Sequence, residues 1–209
     1  MTLTLAIDSA SEACSVALLD DGRLVAGEHR ILGRGHAEAL VPMIAQLPER
    51  GRAQRIVVSL GPGSFTGVRI GLAAARALGL AWGVPVLGYS TLALVAAQAR
   101  AAAGAQPVLV AMTGGHGEWF VAGFGADGAE ELPLASLPPD AAAAYPTALV
   151  AGSQAEALVA RRDSGTALAL WPDARAIPLL APAQYTTTLA PIYGRAPDAR
   201  LPGGATLPA

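Results

Sequence analysis

Lysine is absent from all 209 residues. The 14 basic side chains are therefore all arginine, set against 16 Asp and Glu for a net charge of −2. The arginines are scattered, apart from Arg50, Arg52 and Arg55 and the pair Arg161–Arg162. No basic stripe of the kind that binds nucleic acid directly results, so any RNA involved is held by something else. The single cysteine, Cys14, lies in an apolar strand pattern. It excludes a disulfide framework and fits a reducing compartment, and with no basic neighbour to lower its pKa it is a poor candidate nucleophile. No apolar run reaches the roughly 18 uncharged residues that span a bilayer. Residues 70–89 come nearest, broken by Arg76 and by Gly83-Val-Pro85. The start, Met1-Thr-Leu-Thr-Leu-Ala-Ile-Asp8, has neither a basic leader nor a cleavage site, so no signal peptide is read there. The expected location is cytoplasmic, with no membrane partner. His29, His36 and His116 are isolated and no His-x-x-x-His occurs. A metal centre needs three or four converging ligands, so none is expected.

The most informative stretch that is present runs from Arg55 to Leu72. It reads as a buried strand (56–60), a glycine-rich loop (61–65) and a helix of small residues from about Thr66 to Trp82. A strand, a glycine loop and a helix start can together bind an anion, because unpaired amides and the helix dipole face the loop. A Walker A loop, however, ends in Gly-Lys-Ser/Thr. This one continues Thr66-Gly67-Val68-Arg69 and is not a P-loop.

The surrounding pattern is organised in two halves. Residues 3–8 and 14–19 read as strands joined by a polar turn, Asp20-Asp-Gly22 signals a hairpin, and residues 24–29 form a third strand. An amphipathic helix over 35–47 follows, with Leu40, Ile44 and Leu47 at helical spacing. Residues 84–88 make a strand and 91–103 a helix, and Gly104-Ala-Gln-Pro107 marks a joint. The opening pattern then returns: strands over 107–113 and 118–124 around a turn, with Ala126-Asp-Gly128 closing a second hairpin. Residues 147–151 and 167–170 read as strands and 154–162 as a helix. Two halves that each open on a meander and then alternate helix and strand predict a duplicated α/β fold with two mixed-sheet lobes, the actin, sugar-kinase and Hsp70 ATPase class. The expected lobes are residues 1–104 and 105–190, with a Pro- and Gly-rich tail over 191–209 expected to be partly disordered.

In that class the first hairpin turn holds a phosphate. An acid at the strand end manages a metal, and glycine lets the backbone approach. Here Asp8 and Ser9 are present, but Ala10 stands where glycine would help; the second half offers Thr113-Gly-Gly115 without an acid. Each half of a nucleotide clamp is damaged, and simple tight polar turns are the favoured reading of both. Asp8, Ser9, Gly61, Gly63, Ser64 and Thr66 are accordingly the candidate nucleotide vicinity. The helix after the loop carries Gly67, Gly71, Ala73, Ala74, Ala75, Ala77, Gly79 and Ala81, although each internal glycine costs about 0.5–1 kcal/mol relative to alanine. Close approach by another backbone accounts for that composition, supplied either by the chain's own sheet and helix or by a partner in an intersubunit bundle. The candidate partner face comprises Val68, Arg69, Leu72 and Arg76 with His36, Glu38 and Leu40 from the preceding helix. For His36 and Glu38, capping and a carboxylate suited to the helix dipole are the alternative reading.

Leu5-Ala-Ile-Asp-Ser-Ala-Ser-Glu-Ala-Cys-Ser-Val-Ala-Leu18, Gly35-His-Ala-Glu38, Gly61-Pro-Gly-Ser-Phe-Thr-Gly-Val-Arg-Ile-Gly71, Leu87-Gly-Tyr-Ser-Thr-Leu92 and Pro191-Ile-Tyr-Gly-Arg195 resemble the bacterial TsaB (YeaZ) family. The match is close over the first hundred residues and loose beyond them. The resemblance implies a role in placing threonylcarbamoyl on the adenosine beside the tRNA anticodon. It implies a non-catalytic partner of a TsaD-type catalytic subunit, joined by a TsaE-type ATPase, with tRNA reached through the complex. No cofactor of its own is implied, save an adenine nucleotide at the partner boundary, and the isolated chain could self-pair as a homodimer. Where relatives read Asp-Ala-Arg in the second hairpin, this chain has Thr113-Gly-Gly-His-Gly-Glu118, which puts any function of that turn in doubt. Two enzyme classes stand as alternatives. One is a small ATPase or kinase of the same fold, opposed by Ala10 and Thr113. The other is a peptidase, which needs a base and an orienting acid beside a serine; only Ser64 and His36 offer themselves.

Overall fold

The computed structural model describes residues 2–194. Strands β1 (Leu3–Asp8), β2 (Ala13–Asp20) and β3 (Arg23–Ile31) form an antiparallel meander, followed by helix α1 (His36–Gln46), strand β4 (Arg55–Ser59), helix α2 (Phe65–Trp82), strand β5 (Val86–Tyr89) and helix α3 (Thr91–Ala103). The first sheet has the order β3-β2-β1-β4-β5. β4 lies parallel to both β1 and β5.

The second lobe repeats this. Strands β6 (Val108–Thr113), β7 (Trp119–Phe124) and β8 (Glu130–Leu137) form the meander, followed by a short helix α4 (Pro139–Ala143), strand β9 (Leu149–Ala151), helix α5 (Ala155–Arg162) and strand β10 (Thr166–Leu168). Its order, β8-β7-β6-β9-β10, is the first lobe's order element for element. The duplicated α/β fold expected from the sequence is present. Among the described residues, no helix is long and apolar enough to cross a membrane.

The layers follow from strand alternation, because successive side chains point to opposite faces. Leu5, Ile7, Val16, Leu18, Ile56 and Val58 pack beneath α1 and α2. Ala6, Ala17, Leu19 and Val57 face the other way, onto α3. Val108, Val110 and Met112 of the second sheet meet the same helix from below, while Leu109 and Ala111 turn to α4 and α5. Helix α3 is thus enclosed between two sheets, which is why its Leu92–Ala97 run is buried all round. Its bounds match the sequence expectation; Ser90 at the N-cap accepts from the Ala93 amide at 3.4 Å, and Gly104 closes the other end.

Three differences from the sequence reading have physical causes. β8 escaped notice because Pro133 and three acidic or polar positions interrupt its apolar pattern; it is an edge strand, where proline is tolerated. The chain leaves the second lobe well before residue 190. A 3-10 segment, Ala174–Leu179, packs across α3 and the first sheet, with the Ala174 amide donating to Ser15 Oγ at 2.9 Å. The opening of the tail is also fastened to the first lobe: Leu189 and Ile192 pack against its core, and the Ile192 amide donates to the Leu60 carbonyl at 2.7 Å. The rest of the tail expected to be partly disordered, 195–209, lies outside the described residues.

The third difference concerns α2. Its buried face is Gly67, Val68, Gly71, Leu72, Ala75 and Gly79. A Cβ on Gly63 or Gly67 would overlap the carbonyl oxygens of Ala10 and Ser9, and one on Gly71 would lie 2.5 Å from Ser9 Oγ. The glycines therefore receive the chain's own β1–β2 turn. Gly67→Ala ordinarily gains about 0.5–1 kcal/mol of helix propensity. Here it is expected to lower stability by about 1–3 kcal/mol through overpacking against backbone, whereas Ala77→Gly on the exposed side is expected to cost only the propensity difference. Urea denaturation of the two variants checks this; a stabilised Gly67→Ala protein would show that the turn does not lie on the helix.

Candidate functional site

The β1–β2 turn is held down by two hydrogen bonds as well as by the glycine face. The Ser64 amide donates to the Ala10 carbonyl at 2.6 Å, and Ser9 Oγ donates to the Gly67 carbonyl at 2.8 Å. Ser64 also caps α2, its hydroxyl accepting from the Gly67 amide at 3.2 Å. Gly61, at φ +92°, turns the chain between β4 and the helix, a conformation that favours glycine. Its amide donates to Ser59 Oγ at 3.1 Å and its carbonyl accepts from the Thr91 amide at 2.8 Å.

Asp8 lies underneath, fully buried. One carboxylate oxygen accepts from the Ala10 amide and the other from the Tyr89 hydroxyl, each at 3.0 Å. The Tyr89 hydroxyl also reaches the Ile7 carbonyl at 3.0 Å. Burial is the largest influence on Asp8 and pushes its pKa up to about 6, against the opposing effect of these hydrogen bonds. The same burial holds the Tyr89 phenol well above its usual range. Cys14, buried in β2, is raised to about 11 by desolvation and then by the Asp8 charge, so its thiol stays protonated. In this arrangement the Asp8 carboxylate is walled off from solvent and engaged, not presented to a metal or phosphate.

Above the turn, the two lobes enclose a cleft of about 800 Å3. One wall is the β1–β2 turn with the start of α2; the other is the turn after β6 with Met112 and Phe120; residues 193–194 close one side. Ser9 and Asp8 lie below it, while Gly63 and Ser64 line it. At its mouth the Arg69 guanidinium stacks 3.6 Å from the centroid of the Phe65 ring and donates to the Tyr193 hydroxyl at 2.9 Å. Phe65 and Tyr193 themselves stack with centroids 6.0 Å apart. In the second lobe, Thr113 is tied to Ser153 at 3.1 Å and to Gln154 at 3.0 Å. Glu118, at the end of the turn after β6, accepts from Ser136 of β8 at 2.7 Å and so serves the sheet.

Several expected site residues sit elsewhere. Leu40, Val68 and Leu72 were expected to face a partner, but they are 0%, 4% and 3% exposed and belong to the first lobe's interior. The small-residue composition of α2 leaves its polarity nearly uniform round the helix, so spacing did not reveal which side turned inward. His36 is buried with Nε2 3.2 Å from the Ala13 carbonyl, and Glu38 is exposed on the first turn of α1. Arg69 and Arg76 are exposed as expected, but both hold the tail: Arg76 donates to the Leu189 carbonyl at 2.6 Å. Thr66 is exposed at the helix start. The hydroxyl of Ser64 and the ring of His36 are engaged with different partners, and no contact brings them together. The exposed large apolar residues of the two helices are instead Val41 (61%), Leu80 (87%) and, at the start of α2, Phe65 (57%), with Ala73 and Ala77 beside Leu80. Sequence reasoning missed Phe65, Tyr89, Glu12 and Tyr193 as site residues, although each stands in a run that resembles the family.

The family model described as TsaD, tRNA N6-adenosine threonylcarbamoyltransferase, matches residues 30–132. A curated relative, the tRNA threonylcarbamoyladenosine biosynthesis protein TsaB of Escherichia coli K12, is 41% identical over 128 residues, which cover 59% of this chain and 55% of that protein. The chain thus spans about half the length of the curated relatives it matches. Among solved structures, YeaZ from Pseudomonas aeruginosa is 31% identical with a TM-score of 0.76, covering 92% of this chain and 100% of that one. The ethanolamine utilization protein EutJ of Carboxydothermus hydrogenoformans, 11% identical at a TM-score of 0.50 over 86% of this chain and 89% of that one, shares the fold alone.

The raised Asp8 pKa sets a pH dependence. A carboxyl that ionises near pH 6 when folded and near 3.8 when unfolded binds its proton more tightly in the folded state. Its contribution to stability is full below about pH 4 and is lost as pH rises through about 6. The loss is about 3 kcal/mol, at 1.36 kcal/mol per pKa unit. Asp8→Asn is expected to remove that slope, so its stability relative to the natural protein should improve between pH 4.5 and 7.5. Chemical denaturation across this range measures the difference; a gap that does not change with pH refutes the assignment.

Proposed function

The chain belongs to the TsaB (YeaZ) family, and from that premise we propose that it acts in the biosynthesis of threonylcarbamoyladenosine in tRNA, as the non-catalytic partner of a TsaD-type threonylcarbamoyltransferase. The observation that carries this reading is the outer face of α2. Leu80 stands 87% exposed on a helix whose neighbouring outward positions are Ala73 and Ala77, beside a second helix that exposes Val41. Alanine and glycine let another helix approach closely, and an exposed leucine is the kind of apolar side chain that a docking surface covers.

Arg76, on the flank of this face, is held by the Leu189 carbonyl. The transferase family model spans both helices, residues 30–132. A TsaD-type subunit accordingly carries helices of like shape, and two related chains meet economically through equivalent faces. The same geometry serves self-association of the isolated chain as a homodimer. In this reading a TsaE-type ATPase joins the pair, tRNA is reached through the assembled complex in the cytoplasm, and an adenine nucleotide finds its place at the boundary between subunits. The low density of basic charge agrees with an indirect role towards RNA.

Leu72→Arg would bury a charge in the core and unfold the lobe, so the informative variant is Leu80→Arg. At an exposed position it should leave stability within about 0.5 kcal/mol of the natural protein. It should weaken co-purification with the TsaD-type subunit by about tenfold or more, the effect of losing over 1.4 kcal/mol at an interface. Reconstituted tRNA modification is expected to fall in parallel. The proposal fails if the natural chain does not associate with that subunit, or if modification proceeds equally well without it.

A further inference from the structure

We propose that the interlobe cleft is a binding site for a planar organic cation, an amidine or guanidine carried on an apolar or aromatic group, with Glu12 as its carboxylate. The cleft's volume of about 800 Å3 falls within the range of small-molecule sites, which combine apolar walls with a few polar groups. Met112 and Phe120 supply an apolar floor and Phe65 an aromatic edge. Glu12 is the one carboxylate among the lining residues, and its Oε2 is buried without a hydrogen-bond partner.

A buried acceptor in that condition is costly, and a charged donor brought to it relieves that cost. Gly33 and Gly115, both on the cleft wall, have nothing within 4 Å of the position a side chain would take. Space and an uncompensated acceptor therefore occur together.

Besides Glu12, the side chains among the described lining residues that can carry charge near neutral pH are Arg69 and His116, and Arg69 bears on the sign of the ligand's charge. Arg69 is the one guanidinium among the lining residues, and it is already stacked on Phe65 and bonded to Tyr193. A nucleotide's phosphates would meet the Glu12 carboxylate, with the one guanidinium among the described lining residues already engaged by Phe65 and Tyr193. A cation meets a carboxylate and aromatic surface, which attracts planar cations through the ring face. The Arg69–Phe65 stack shows that arrangement within the same cleft.

Benzamidine, with the intact chain, is the probe. Saturable binding by calorimetry and a rise in melting temperature are expected. Glu12→Gln should melt near the natural temperature without ligand and bind about ten- to a hundredfold more weakly, the loss of one charge-assisted hydrogen bond. Gly115→Trp, which fills the open wall, should abolish binding while leaving Glu12 in place, and it decides the matter should Glu12→Gln fail to fold. Equal binding by the natural chain and either folded variant would overturn the proposal. So would no benzamidine binding, or tight magnesium-ATP binding at this cleft that survives Glu12→Gln.

Discussion

The contact between the β1–β2 turn and the glycine face of α2 governs most of the first lobe. Carbonyl oxygens of Ser9 and Ala10 lie where side chains on Gly67 and Gly63 would have to be. Helix and turn backbones can approach so closely only when three positions at four-residue spacing, 63, 67 and 71, lack a Cβ. Gly67 and Gly71, four residues apart, fall on one side of a helix with 3.6 residues per turn, and Gly63 lies in the loop just before it. The usual cost of helical glycine is offset by packing and by the two hydrogen bonds that the approach permits. With its backbone pressed to the helix, the turn is not free to wrap a phosphate. The same glycine-rich string that resembles an anion loop in sequence is thus a bearing surface in three dimensions.

Asp8 shows what that closure entails. Desolvation opposes its ionisation, while the Ala10 amide and the Tyr89 hydroxyl favour it, and the former outweighs the latter. A buried carboxylate can still organise structure at a net electrostatic loss. This one ties the end of β1 to the end of β5, where Tyr89 sits, across the intervening β4. The Ser59–Thr91 hydroxyl pair, 2.5 Å apart, repeats the tie from β4 to the start of α3. The ends of three parallel strands and the starts of two helices are therefore joined by one polar network beneath the glycine loop.

Strand alternation, the two Asp-Gly turns and the repeated meander were enough to read the duplicated fold, and α3 falls on residues 91–103 as read, ending at the Gly104 joint. Orientation was harder. Val68 and Leu72 look available for a partner because α2 offers apolar or small residues on almost every side; only the neighbouring sheet decides that they point inward. His36 was similarly ambiguous until its ring met the Ala13 carbonyl. Glu12 stands in a run that resembles the family, but nothing in that run assigns it a role. It becomes conspicuous through the absence of a hydrogen-bond partner, a property of the assembled cleft. β8 was concealed by Pro133, whose lack of an amide donor suits an edge strand but argues against a strand on propensity alone.

Helix α2 ends up with different duties on different sides, and its rigidity follows from how they are held. The inner side is fixed by the turn and the sheet, and its start by Ser64. Along the flank, Arg69 and Arg76 fasten residues 189–194, so that the tail braces the helix where it would otherwise be free. Gly79 packs against Val86 near the other end. What is left outward, from Ala73 to Leu80, is a surface whose backbone is already immobilised by interactions that do not use it. Ordering flexible groups on association costs about 0.5–1.5 kcal/mol for each long side chain; alanines have no rotamers to lose, and leucine has few. A helix anchored on its inner side by glycine and smooth on its outer side by alanine is pre-organised for contact. The small residues therefore account for both the internal packing and the external face.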